Sequence, residues 1–316
     1  MPDSAAAQLA RCFSDDFDTA RNRFLSACER IGLRVSAYPA RIRRDSGDPL
    51  VCDVARLGSP DATRVAVLCS AAGGMAGLVG CGAALGVMTQ DGYKDLPRDV
   101  ALVLVHACNP AGPIWPYFSP NDPMADPSAD GPAPDWSDGV LAAAERRFKD
   151  FQRTEGFDWN RLAGRTLASM SPPAWDGATL RAIAADRLRG AERVCVIDVR
   201  TGPGQFGARE VVPCDPPGSA GRARAERWFT VDIARDSAAI GAGNAPCGGG
   251  LGGLAKGAVS TNVVLEVGTY SMGGLLSRGA NRESAGYPAD PTWRAGAWSA
   301  TRETLGRAYR GLVHDL

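Results

Sequence analysis

Val194-Cys195-Val196-Ile197-Asp198-Val199-Arg200-Thr201-Gly202-Pro203-Gly204 runs from a continuous apolar stretch into a charged, glycine-rich turn. A short apolar run without polar alternation is the pattern of a strand buried on both faces. Residues 194–199 therefore read as a strand that delivers Arg200, a fixed cation, to its carboxyl end. Three other stretches end in a similar way. Residues 65–69 lead into Ser70 and a glycine-rich turn, and residues 100–105 lead into His106. Residues 262–267 carry Glu266 and lead into Gly268-Thr269-Tyr270. Residues 78–88 read as a crossover helix, which makes a βαβ unit with the strands at 65–69 and 100–105. In open α/β sheets ligands bind beyond the carboxyl ends of the strands. The reading expects Ser70, His106, Arg200 and Glu266 to converge on one site there.

Outward from these strands, the chain reads as one α/β domain over 1–316, a mostly parallel or mixed central sheet flanked by helices, with long loops. Ser14 is placed to cap a helix with Phe17, Ala20, Phe24, Leu25 and Cys28 on one face, ending near Gly32. Extended segments follow at 34–38 and 51–57, separated by a turn-rich stretch that holds Asp45. Helices are expected at 139–153, 177–188 and 296–313. Two loops stand apart, a Pro/Asp/Ser-rich excursion at 113–138 and a glycine-rich loop at 241–257. Loops of such length inside a domain usually carry function.

Lysine plus arginine and aspartate plus glutamate number 35 each, for a formal net charge of +0. Nothing in that balance favours a nucleic-acid or membrane partner. Nine cysteines occur without a C-x-x-C pair, mostly inside apolar runs, and read as buried free thiols. No run approaches a membrane span and residues 1–11 lack a signal-like pattern, so a cytoplasmic location is expected. The glycine run at 248–253 lacks the βαβ context of a dinucleotide fingerprint, and 70–77 lacks the lysine of a P-loop. Ser70 lacks the G-x-S-x-G elbow of a hydrolase nucleophile.

Four segments in order carry a resemblance. They are Phe13-Ser14-Asp15-Asp16-Phe17 with Ala20-Arg21 and Arg23-Phe24, His106-Ala107-Cys108-Asn109-Pro110 with Trp115, Asp198 through Gly204, and Leu265 through Tyr270. Together they resemble a bacterial branch of the carboxypeptidase A-like clan of zinc carboxypeptidases and acyl-amino-acid deacylases. The likeness runs from about residue 12 to 312 and implies that fold. It also implies zinc loops of the forms S-G-T-H-G-x-E-G and D-x-H-T-G-x-G, and a general acid/base glutamate. In this chain the histidine and glutamate positions of the first loop are Gly73 and Ala76, and the histidine position of the second is Arg200. Catalytic zinc takes about three protein ligands and a water, so the expectation is a site without metal or other cofactor. Glu266 stands at the acid/base position.

The site expected on these grounds has Glu266 and Asp45 as catalytic carboxylates. Arg200, His106, Asn109, Ser119, Tyr117, Ser70 and Tyr270 would bind substrate. Most have a plainer alternative. Glu266 and Arg200 can form an architectural ion pair, Asp45 can be a solvated turn residue, and Ser119 and Tyr117 can be loop decoration. His106 can be a hydrogen-bonded strand-end residue, and Asn109 can pin a turn. A guanidinium that holds an anion beside a carboxylate base suits an intramolecular displacement with an anionic leaving group. Within the clan the chain looks like the aziridine-forming components of azinomycin-type biosynthesis. That likeness implies ring closure with loss of sulfate from a small anionic, amino-acid-derived substrate on an amino-group carrier protein, with a smaller partner subunit. The alternative is a pseudopeptidase that serves as a binding or scaffold subunit.

Overall fold

The computed structural model describes residues 9–43, 49–70, 77–90, 92–108, 177–202, 205–230, 232–233, 250–269 and 289–314. The expected helix at 139–153, the excursion at 113–138 and most of the glycine-rich loop lie outside the described residues.

The strands are β1 (Val35–Arg43), β2 (Pro49–Leu57), β3 (Arg64–Cys69), β4 (Val100–His106), β5 (Arg193–Gly202), β6 (Arg209–Pro213) and β7 (Val259–Gly268). They form one mixed sheet in the order β1-β2-β4-β3-β5-β7-β6. The pairs β3–β4, β3–β5 and β5–β7 are parallel, whereas β1–β2, β2–β4 and β6–β7 are antiparallel. The four apolar runs of the sequence are thus the four parallel strands. Every residue of β4 is buried, as a strand covered on both faces requires.

The helices are α1 (Phe17–Arg30), α2 (Leu78–Thr89), α3 (Gly177–Arg187), α4 (Ala220–Trp228), the single turn α5 (Leu251–Leu254) and α6 (Pro291–His314). One face of the sheet packs on α1, α2, α4 and α6, and the other on α3 and α5. Two helix starts differ from the sequence reading. Asp16, not Ser14, caps α1 by accepting from the Thr19 amide at 2.7 Å, while Ser14 accepts from the Arg23 guanidinium at 3.1 Å. Helix α6 begins at Pro291 rather than 296. Asp290 accepts from the Trp293 amide at 2.7 Å, and a proline in the first helical turn has no amide to leave unpaired.

Helix α2 is apolar all round and buried along nearly its whole length, because it lies between the sheet and two other helices. Its glycines make that sandwich thin. A Cβ at Gly80 would come within 2.9 Å of Ser70 Cα, one at Gly86 within 2.8 Å of the Trp298 ring, and one at Gly82 would run into the Phe13 ring. Gly82→Ala is therefore expected to destabilise the protein by about 1–3 kcal/mol through overpacking, read as a lowered denaturation midpoint. Among the described residues no helix is long and apolar enough to cross a membrane.

Candidate functional site

The register of the sheet sets one row of charged side chains. Arg200 on β5 pairs with Glu266 on β7, and Glu266 pairs with Glu210 on β6. Directly opposed residues share a face of the sheet, and so does a residue two positions along the same strand. Asp198, Arg200, Glu266 and Glu210 therefore lie on the face that carries Val194, Val196, Val212 and Val264, the one covered by α3 and α5.

Asp198 and Arg200 are the tightest polar contact of this row. The Arg200 Nε and Nη2 donate to Asp198 Oδ2 at 3.1 and 2.6 Å, with Arg200 5% and Asp198 0% exposed. A charged pair this deep holds only if its geometry offsets the lost hydration. The guanidinium is thus aimed along its own strand at Asp198, not across to Glu266 as a simple cross-strand ion pair would have it.

Glu266 is 8% exposed. Burial pushes its carboxyl up to about 7; the Arg200 charge opposes that rise, while Glu210 and Asp198 add to it. Its Oε2 rests against Gly202, where a Cβ would come within 2.7 Å. Only glycine leaves room for the carboxyl over the end of β5. The surrounding backbone is closely tied. Thr269 N donates to Gly202 O at 3.1 Å, Gly207 N to Gly268 O at 2.9 Å, and Gly268 N to Ala208 O at 2.7 Å. The Trp293 indole adds a bond to Gly268 O at 2.8 Å. A carboxylic acid poised near neutrality on such a frame can take or give a proton at physiological pH.

The other two expected members do not join this row. His106 is paired in register with Asp53 on β2 and packs against the Phe24 and Phe17 rings of α1 at 4.8 and 5.9 Å. That is the opposite face of the sheet. Neither ring nitrogen has a hydrogen-bond partner of normal geometry. Burial and the nearby Arg21 charge take its pKa down to about 3, against a small opposing pull from the Ala20 backbone. His106 is a neutral core side chain. Ser70 is 1% exposed; its hydroxyl donates to Val105 O at 3.2 Å and accepts from Ala107 N at 3.1 Å. It fastens the turn after β4, in which Ala107 adopts a left-handed φ of 56°. The expected convergence of four strand ends is corrected to two, Arg200 and Glu266, because strands of unlike phase present their ends to opposite faces. Asp45, Asn109, Tyr117, Ser119, Tyr270, Gly73 and Ala76 lie outside the described residues.

Among the described residues no group of three or more His, Cys, Asp or Glu side chains is placed to hold a metal ion. The eight described cysteines are free thiols, seven of them buried. Burial raises Cys28 and Cys81 to about 12, which leaves them protonated and unreactive at neutral pH.

The family described as "Protein of unknown function (DUF2817)" matches residues 13–116 and 171–292, segments that hold every strand of the sheet and all four residues of the charged row. The chain belongs to the DUF2817 family. No curated protein matches the sequence. Among solved structures, carboxypeptidase A from Helicoverpa armigera is similar at a TM-score of 0.52 and 13% identity, over 94% of this chain and 73% of that one. The succinylglutamate desuccinylase from Chromobacterium violaceum is similar at a TM-score of 0.37 and 13% identity, over 90% and 76%. The Macrostomum lignano glutaminyl cyclase is similar at a TM-score of 0.39 and 13% identity, over 98% and 89%. The likeness to the insect enzyme shows that this DUF2817 protein has a carboxypeptidase-like fold.

Sequence reasoning missed two members of the DUF2817 row. Asp198 was legible, because an aspartate two residues before an arginine on a buried strand must share its face. Glu210 was not, because β6 itself went unrecognised.

Proposed function

We propose that this DUF2817 protein is an enzyme that works by proton transfer to Glu266, with Arg200 orienting an anionic group of a small amino-acid-derived substrate. The observation that carries the reading is the Glu266 carboxyl, buried, held near neutrality and in register with Arg200. The family resemblance raises the question of zinc. By that resemblance the ligand positions would fall on Gly73, Ala76 and Arg200; none of these side chains is an ordinary zinc donor, and Arg200 is a permanent cation bonded to Asp198. No step here is routed through a metal.

The reaction this pair serves best is ring closure. An amine nitrogen forms a bond to the neighbouring carbon, the bond from that carbon to its ester oxygen breaks, and the electron pair leaves with the anion. The surplus proton on nitrogen passes to the Glu266 carboxylate. Arg200, held in place by Asp198, donates to the departing anion, for which sulfate is the first choice, as in aziridine formation. Positioning and preorganised charge of this kind contribute several kcal/mol without a metal. A carrier protein that delivers the substrate and a smaller partner subunit belong to this proposal through the family resemblance alone.

A second reading has one observation in its favour. The buried Asp198–Arg200 ion pair would also suit a purely architectural role in a scaffold subunit that has lost catalysis. Sulfate release from small amino-sulfate esters separates the two. The enzyme reading expects release that falls about a hundredfold or more in Arg200→Lys, since an ammonium does not reproduce the planar fork. Release equal to the uncatalysed rate, with partner binding intact, would support the scaffold instead.

A further inference from the structure

Among the described residues the row on β5, β7 and β6 holds three carboxylates, Asp198, Glu266 and Glu210, against one cation, Arg200. Asp198 receives two donors of that cation. The two glutamates are left facing each other in the β6–β7 register, an arrangement of like charges that disfavours pairing. The neighbouring Arg209 gives no relief, because it lies on the other face and bonds Asp232 and Glu303. Glu266 is more than nine-tenths buried, at 8% exposure, and its carboxyl makes no hydrogen bond among the described residues. Its Oε2 rests against Gly202 at the end of β5, and Glu210, its partner in the β6–β7 register, is exposed. Two opposed carboxylates, one buried without a hydrogen bond and one at the rim, are completed by a positive group.

We infer that Glu210 and Glu266 together receive a primary ammonium group of the substrate, and that Glu210 is the residue that selects an amine over a hydroxyl nucleophile. This rests on the Glu266 reading above and names the group that Glu266 deprotonates. Ring closure must shed two protons from the bound ammonium, which Glu210 holds by charge at the exposed rim. The first proton goes to a buffer base in the solvent that reaches this rim. The nitrogen, now with a lone pair, attacks, and the proton left over after the new N–C bond forms goes to Glu266. The substrate is accordingly zwitterionic, with its ammonium toward β6 and its anion toward Arg200.

The test uses the full chain, with 2-aminoethyl sulfate and 2-hydroxyethyl sulfate as probes and calorimetric titration as the readout. These differ only in the nucleophile. The wild-type protein is expected to bind the amine at least about tenfold more tightly than the alcohol, as a charge-assisted contact predicts. Glu210→Gln, an isosteric change at an exposed position, is expected to abolish that preference while it leaves the affinity for the alcohol within about twofold. Equal affinities in the wild type, a preference that survives Glu210→Gln, or no measurable binding of either probe would each overturn the inference. Its fate is separable from that of the proposed reaction. An amine preference without sulfate release would sink the reaction and leave the ammonium site standing, whereas sulfate release indifferent to Glu210 would do the reverse.

Discussion

Glu266→Gln is expected to make the protein inactive and, above neutral pH, more stable. Loss of a positioned general base lowers turnover by about 10²–10⁴-fold, read as sulfate release. The gain in stability follows from the carboxyl's pKa, raised from its ordinary 4.5 to about 7. Below about pH 4.5 the carboxyl is protonated in the folded and unfolded chain alike, so it carries no penalty there. As pH rises from there toward 7, the unfolded chain releases the proton while the folded chain retains it, and stability falls. Above about pH 7 the whole penalty is present, on the order of 3 kcal/mol. A neutral glutamine avoids it. Denaturation of both proteins from pH 4 to 8 should therefore show a gap in favour of the variant that opens with rising pH. A gap that stays flat with pH would mean that Glu266 does not hold its proton near neutrality, and the proposed base would be lost with it.

Asp198→Ala should have the largest effect on folding itself. The substitution removes the carboxylate that compensates a guanidinium only 5% exposed, and breaking one side of a buried pair costs about 3–5 kcal/mol. Replacing both partners, as Asp198→Leu with Arg200→Met, should recover most of that loss, since a well-packed apolar pair needs no compensation. The single variant should also bring the Glu266 pKa down. Asp198 raises it, and Arg200, no longer held along β5, can turn toward β7. Chemical denaturation and a carboxyl NMR titration read the two effects. A single variant as stable as the wild type would show that Asp198 is not what holds Arg200 in place.

The parallel half of the sheet was plain in the sequence because those strands are covered on both faces and need no alternation to mark them. Residues 194–199, 65–69, 100–105 and 262–267 each fall inside an observed strand. Strand β6 escaped because Arg209–Pro213 is five residues long and runs into a proline. Helix α4 escaped because its sequence is polar and buries only Gly221, Ala225 and Trp228; its one clear mark is Ser219, which caps it. Which strand ends share a pocket was harder to see. Arg200 and His106 both close an apolar run, but the side each presents depends on register, which is fixed between strands rather than within one. Pairing of His106 with Asp53 under α1, and of Arg200 with Glu266 under α3 and α5, is information that no single segment contains.

The carbonyl of Gly268 accepts from both the Gly207 amide and the Trp293 indole, so a single oxygen joins the end of β7, the turn after β5 and the first turn of the last helix. Breathing motions that leave most of the molecule folded cannot loosen that knot without also lifting the last helix off its apolar bed. The seat of Glu266 is thereby tied to the packing of the last helix.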